Sequence, residues 1–128
     1  MKPLFVAMLL ALCLACGGNN AVKVGEMTTI EVNEMFDAGT VVKGEVVKAS
    51  FVVKNTGDAP LVISEVRPSC SCTVADKPTE PIAPGKSTTI VAKVETANVT
   101  SKSITKSVTL VTNTEGSTKV LLIKAKIK

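Results

Sequence analysis

From Val46 to Lys54 the chain alternates in what it can hide from water. Val47, Ala49, Phe51 and Val53 share one parity, and Lys48, Ser50 and Lys54 sit on the other beside Val46 and Val52. In an extended backbone successive side chains point to opposite faces, so this period of two describes a strand with one apolar and one mixed face. The same pattern recurs along the chain. Ile30, Val32 and Phe36 share a parity, Ile90, Ala92 and Val94 turn one way within Thr88 to Glu95, and Ser103 to Thr112 offers Val108 and Leu110. In the last run Leu121, Ile123, Ala125 and Ile127 oppose Lys124, Lys126 and Lys128, and those lysines are expected to keep a terminal strand from pairing with another chain. Leu61 to Arg67 also reads as a strand, but apolar residues occupy both parities and its register stays open.

Turn chemistry separates these runs. Asn55-Thr56-Gly57-Asp58 follows the second, Pro84-Gly85 has the order of a type II turn, and Asn113 to Gly116 closes the final hairpin. The stretch from Lys77 to Pro84 is proline-rich and reads as a rigid surface spacer. No segment from Met27 onward has helical periodicity, and there is no internal repeat. Short strands at this spacing, rich in valine, isoleucine and threonine, predict an all-β sandwich of about seven strands over residues 27–128.

The N-terminus sets the expected compartment. Met1-Lys2-Pro3 carries one positive charge, and Leu4 to Leu14 is an unbroken apolar run about half the length of the roughly 20 residues that span a bilayer. Residues 1–15 therefore read as a signal peptide. It ends Leu12-Cys13-Leu14-Ala15-Cys16, followed by Gly17-Gly18-Asn19-Asn20, which looks like a bacterial lipobox with Cys16 as the lipidated residue. Ala15 suits the small position before the cut, while Cys13 stands where leucine is usual. The competing reading is an incidental Cys16 in a leader cut slightly later. With lipid on Cys16, residues 16–26 are a small, polar tether and the partner is a membrane, because two or more acyl chains hold stably where one does not.

Absences narrow the function. The chain has no histidine, tryptophan or tyrosine, and only Phe36 and Phe51 remain as aromatics once Phe5 leaves with the leader. Histidine is the commonest general base and metal ligand, and no nucleophile–base constellation can be assembled without it. Asp37, Asp58, Asp76 and Glu80 form no evident acid–base pair. The net charge of +4 loses one unit with Lys2, and the remaining lysines are dispersed. A nucleic-acid surface would need a basic stripe with stacking aromatics, so nucleic acid is excluded as the expected partner. No catalytic residue and no cofactor are expected, and the chain is read as not an enzyme.

Further residues carry a family likeness. Phe36-Asp37-Ala38-Gly39-Thr40-Val41, Gly44-Glu45, Phe51 through Ile63 with its Asn55-Thr56-Gly57-Asp58 turn, Val66-Arg67-Pro68-Ser69-Cys70-Ser71-Cys72-Thr73, and Pro81-Ile82-Ala83-Pro84-Gly85 occur in order. Together they resemble the bacterial family called domain of unknown function 1573, from about Glu31 to the C-terminus. That resemblance implies an immunoglobulin-like β-sandwich related to domains of ciliary and centrosomal scaffold proteins. It also implies an exported protein, often a lipoprotein, of the kind abundant in Bacteroidota, with no activity known. Two positions depart from the family. Ser71 stands where glycine usually separates the cysteines, which puts in question any role of the pair that depends on the backbone there. The glycine common in the loop before the penultimate strand is absent from Asn98 to Lys102.

Cys70 and Cys72 are the chemically distinctive residues of the domain. In an extended segment both sulfurs would face one way. A disulfide between them would close a small ring, strained and easily reduced, and so a candidate redox or thiol-exchange site in an oxidising compartment. Two thiolates would alternatively suit a soft metal such as Cu(I), although no histidine is present to complete a zinc tetrahedron. The pair can also be purely structural. The sequence thus leads to a lipid-anchored binding or scaffold module of the bacterial cell envelope, on the periplasmic or outer-membrane face, with a protein or glycan partner. Thiol redox or copper handling through Cys70 and Cys72 is the alternative.

Overall fold

The computed structural model describes residues 25–128. The segments expected to be a signal peptide (residues 1–15) and a tether, with Cys16, lie outside them as far as residue 24. Eight strands follow in chain order: β1 (Ile30–Val32), β2 (Met35–Val41), β3 (Val46–Asn55), β4 (Ile63–Pro68), β5 (Thr73–Ala75), β6 (Ser87–Glu95), β7 (Ser103–Thr112) and β8 (Thr118–Ile127). They form two four-stranded sheets, β1-β3-β6-β5 and β2-β8-β7-β4, and no helix occurs among the described residues. The all-β, two-layer architecture expected from the alternation is therefore the one found.

The alternation in β3 maps directly onto burial. Val47, Ala49, Phe51, Val53 and Asn55 point inward and the residues between them are exposed. Opposite them, β6 contributes Ile90, Ala92 and Val94, and the second sheet contributes Val108, Leu110, Leu121 and Ile123, all removed from solvent. Each such aliphatic side chain is worth about 1.5–3 kcal/mol against exposure, so these few positions supply most of the cohesion between the layers. Phe36 of β2 reaches across to Phe51 of β3, and the rings meet edge to face with centroids 6.3 Å apart.

Eight strands form where about seven were expected, partly because the first apolar run divides between the sheets. Ile30 to Val32 pairs antiparallel with β3, then the chain crosses at Asn33-Glu34 and Met35 to Val41 pairs parallel with β8. This crossing also corrects the role given to the terminal lysines. With β2 on one flank and β7 on the other, β8 is an interior strand, so Lys124 and Lys126 coat the outer surface of its sheet and guard no edge. The edge at β2 is interrupted instead by a bulge between Asp37 and Thr40, where Gly39 has φ 68° and its N–H donates to the Asp37 carboxylate at 2.8 Å.

A second irregularity explains why the register of Leu61 to Arg67 could not be read. Leu61 and Ile63 are buried on odd positions, but β4 gains a residue against β7 between Ile63 and Glu65, and the next core-facing residue is Val66. The bulge resets the parity in the middle of the run. The Pro84-Gly85 turn is formed as expected, with Gly85 at φ 76° and Lys86 N–H donating to Ala83 O at 3.0 Å. The stretch before it does more than space: Ile82 is buried and exchanges two backbone hydrogen bonds of 2.8 Å with Leu61.

Candidate functional site

The sandwich has two dissimilar ends, which β3 separates by about 30 Å at the usual rise per strand residue. At one end lies a polar clasp. Asn55 is fully buried, and its side-chain NH2 donates to Ala59 O (2.8 Å) and Ile82 O (2.9 Å). Its side-chain oxygen accepts from Thr28 Oγ1 (2.7 Å) and from Gly57 N–H (3.1 Å). Asn113 does the same for the opposite sheet, accepting from Val62 N–H at 2.7 Å and donating to Pro60 O at 2.8 Å and Glu26 O at 3.1 Å. Every polar atom of each amide is used, as burial requires of Asn55, while Asn113 is half-buried. These contacts fasten Glu26 and Thr28, close to the start of the described residues, to this end of the domain.

The cysteines occupy the other end. Val46 pairs with Glu95 there, and Glu95 N–H donates to Cys72 O at 2.8 Å. Cys70 and Cys72 are joined by a disulfide with their Cα atoms 5.3 Å apart. The segment is not the extended stretch in which both sulfurs would face one way. It is a turn closed by Thr73 N–H donating to Cys70 O at 3.2 Å, and it is this turn that brings the two sulfurs together. The turn is also the step from one sheet to the other, since β4 ends beside β7 and β5 begins beside β6. Ser69 secures its start by pairing with Ser107: its N–H donates to Ser107 O at 2.8 Å and its Oγ accepts from Ser107 N–H at 3.1 Å. Ser71 is compatible with the turn. Among the described non-glycine residues Ser117 alone has a positive φ, so position 71 asks nothing of the backbone that only glycine supplies.

Thr73, to which the sequence assigns no role, completes the site. It is 2% exposed, and its hydroxyl lies 3.6 Å from Cys70 Sγ and 3.8 Å from Cys72 Sγ. A disulfide sulfur carries no proton, so the hydroxyl is the donor, and among the described residues it has no other hydrogen-bond partner. Cys70 and Cys72 are themselves half-buried. An open cleft of about 620 Å³ adjoins the turn, walled by Ser71, Cys72, the loop Asn98 to Ser101 and the first residues of β7, with Glu95 and Lys106 as its charged members. Cys70 is not among the residues that line it. The cleft joins segments about thirty residues apart in sequence, which no local pattern announces.

With the sulfurs bonded to one another, neither is a thiolate ligand in this state, and among the described residues no three His, Cys, Asp or Glu side chains gather as a metal site. The carboxylates singled out earlier remain apart from the cleft: Asp37 caps the β2 bulge, and Asp58, Asp76 and Glu80 are exposed. The glutamate with a displaced titration is Glu65, whose hydrogen bonds and charge pairing with Arg67 hold its carboxyl below the usual range on the exposed face of β4.

Residues 28–127 match the family described as "Protein of unknown function (DUF1573)", and the chain belongs to that family. No curated protein matches it. Among solved structures it is similar to a protein of unknown function from Porphyromonas gingivalis W83, at TM-score 0.71 and 22% identity over 85% of this chain. The chain spans about half of that protein, 51% of its length. It is also similar to the secreted serine protease VesC of Vibrio cholerae (TM-score 0.61, 12% identity, 77% of this chain and 23% of that one). A third likeness is to the ASH/PapD-like domain of human CEP192 (TM-score 0.58, 9% identity, 80% and 87%). At these identities the likeness is one of fold, a PapD-like, immunoglobulin-like sandwich.

Proposed function

We propose that this member of the family is a non-enzymatic binding module of the bacterial cell envelope, lipid-anchored through Cys16, whose partner docks at the end of the sandwich carrying Cys70 and Cys72. The apolar leader and the Leu-Ala-Cys sequence ending at Cys16 support export and lipidation. The polar tether then leads into Glu26 and Thr28, which are tied to the Asn55–Asn113 end. The observation that carries the docking assignment is the position of the cleft beside Cys72, at the opposite end from that attachment. A module fastened at one end presents its other end to whatever stands off the membrane. The partner in this reading is an envelope protein or glycan, and the module acts by holding it.

Photo-crosslinking in intact cells tests this. A crosslinking side chain at Ser101, exposed on the cleft rim, is expected to capture a discrete partner, and one at Asp58, exposed at the tether end, is not. Capture at Asp58 with none at Ser101, or at neither position, contradicts the proposal.

A further inference from the structure

We infer that the Cys70–Cys72 disulfide is a thiol-exchange site, in which Cys72 receives the thiolate of a cysteine-containing envelope protein, Cys70 leaves, and Thr73 is the positioning residue that stabilises the departing sulfur. The inference goes beyond the binding function proposed above and rests on that reading only for the envelope location. Three observations converge on it. The disulfide spans a single intervening residue at the tip of the domain and crosslinks no distant elements, so its loss opens no long loop and a stapling role is weak. Its two sulfurs are inequivalent, because Cys72 lines the open cleft and Cys70 does not. A buried hydroxyl is aimed at the pair with no partner but the sulfurs.

The chemistry follows from that asymmetry. An incoming thiolate entering through the cleft attacks Cys72 Sγ and forms an intermolecular disulfide. The electron pair of the broken sulfur–sulfur bond departs on Cys70 Sγ as a thiolate. Thr73 Oγ1, already 3.6 Å from that atom, donates its hydrogen bond to the developing charge, and a charge-assisted bond is worth more than the neutral one it replaces. The Cys70 thiolate then takes a proton from water. A second thiol on the partner, its proton lost to water, attacks the partner's own sulfur of the mixed disulfide and releases Cys72 as thiolate, which takes up a proton in turn. One partner dithiol is thereby oxidised to a disulfide and this pair is reduced to two thiols, two electrons passing inward. The balance needs no reactant beyond the partner's two thiols.

The test uses the processed full-length protein in detergent, with reduced glutathione as the thiol and intact mass as the readout. Glutathione is expected to open the disulfide in the folded protein, and peptide mapping of the acid-quenched intermediate is expected to find the adduct on Cys72. Thr73→Val keeps shape and removes the hydroxyl. It is expected to slow opening roughly tenfold, the size of one hydrogen bond to a charged group, while Thr73→Ser restores the rate. In the Cys72→Ser protein, alkylation of Cys70 followed against pH is expected to show a thiol that ionises more readily with threonine at position 73 than with valine, which a merely structural role would not produce. A disulfide inert to glutathione, an adduct confined to Cys70, or equal rates for Thr73 and its valine variant would overturn the inference. Replacing both cysteines by serine separates the two proposals: exchange is abolished, whereas crosslinking from Ser101 persists if the docking end is assigned correctly.

Discussion

Gly57 lies directly against Thr28. A Cβ on Gly57 would stand 2.2 Å from Thr28 Oγ1 and 2.8 Å from the backbone nitrogen of Thr29, so the β3–β4 turn and the strand leading into β1 are in contact through a missing side chain. The Thr28 hydroxyl cannot simply swing aside, because it donates to buried Asn55. Gly57→Ala is therefore expected to cost about 1–3 kcal/mol, the usual range for overpacking a fixed site, measured by chemical denaturation. The reason is steric rather than conformational, so alanine at Gly44, which has open space around its Cβ but φ 97°, should act through backbone strain with no contact to relieve.

Asn55 makes a second prediction whose pH dependence is diagnostic. Asn55→Asp keeps the shape, but once ionised it cannot donate to Ala59 O and Ile82 O, and it places a negative charge against both carbonyls. Burial and those carbonyls favour the protonated acid, so the folded-state pKa of the new group is raised above its unfolded value of about 3.9. A group raised on folding is compatible with the fold below its unfolded pKa and loses that stability as pH rises through the folded pKa. The variant should therefore lie nearest to wild type below about pH 4 and fall furthest behind it at neutral pH, as read from melting curves across pH. A penalty independent of pH would show that the clasp does not bury Asn55 as described.

Glu65 titrates in the opposite sense. Its hydrogen bonds from Arg67, and then the guanidinium charge, lower its pKa, so whatever stability it lends is present above the ordinary carboxylate pKa and is lost as pH falls through the lowered one. The pair is fully exposed, so salt should screen the effect. Arg67→Gln is expected to return the Glu65 titration toward the ordinary range in an NMR pH series, with little change in melting temperature.

The strongly alternating strands were legible from single residues because both their neighbours and their burial repeat every second position. Val47 to Val53, Ile90 to Val94 and Leu121 to Ala125 all face the core as read. What escaped was decided by partners distant in sequence. The division of the first run between two sheets depends on which strands β1 and β2 find, and the bulge in β4 is defined only against β7. The lysines of β8 carried a pattern compatible with either an edge or an outward face, and only the arrival of β2 beside them decides between the two. The cysteine pair was visible as a motif, but the turn that closes it and the cleft behind it were not. Thr73 held the one available signal, a hydroxyl-bearing residue directly after the pair, in a segment where the partner of that hydroxyl is set by folding.

In the proposed reading the sandwich is exported, is fastened to lipid at one end and carries the closed Cys70–Cys72 disulfide at the other. Intact mass of the protein extracted from membranes and treated with iodoacetamide, without reductant, tests both ends at once. The account predicts a chain beginning at Cys16 that carries a diacylglyceryl group and takes up no alkyl group at Cys70 or Cys72. A polypeptide beginning elsewhere and free of lipid, or one alkylated at both cysteines, would contradict it.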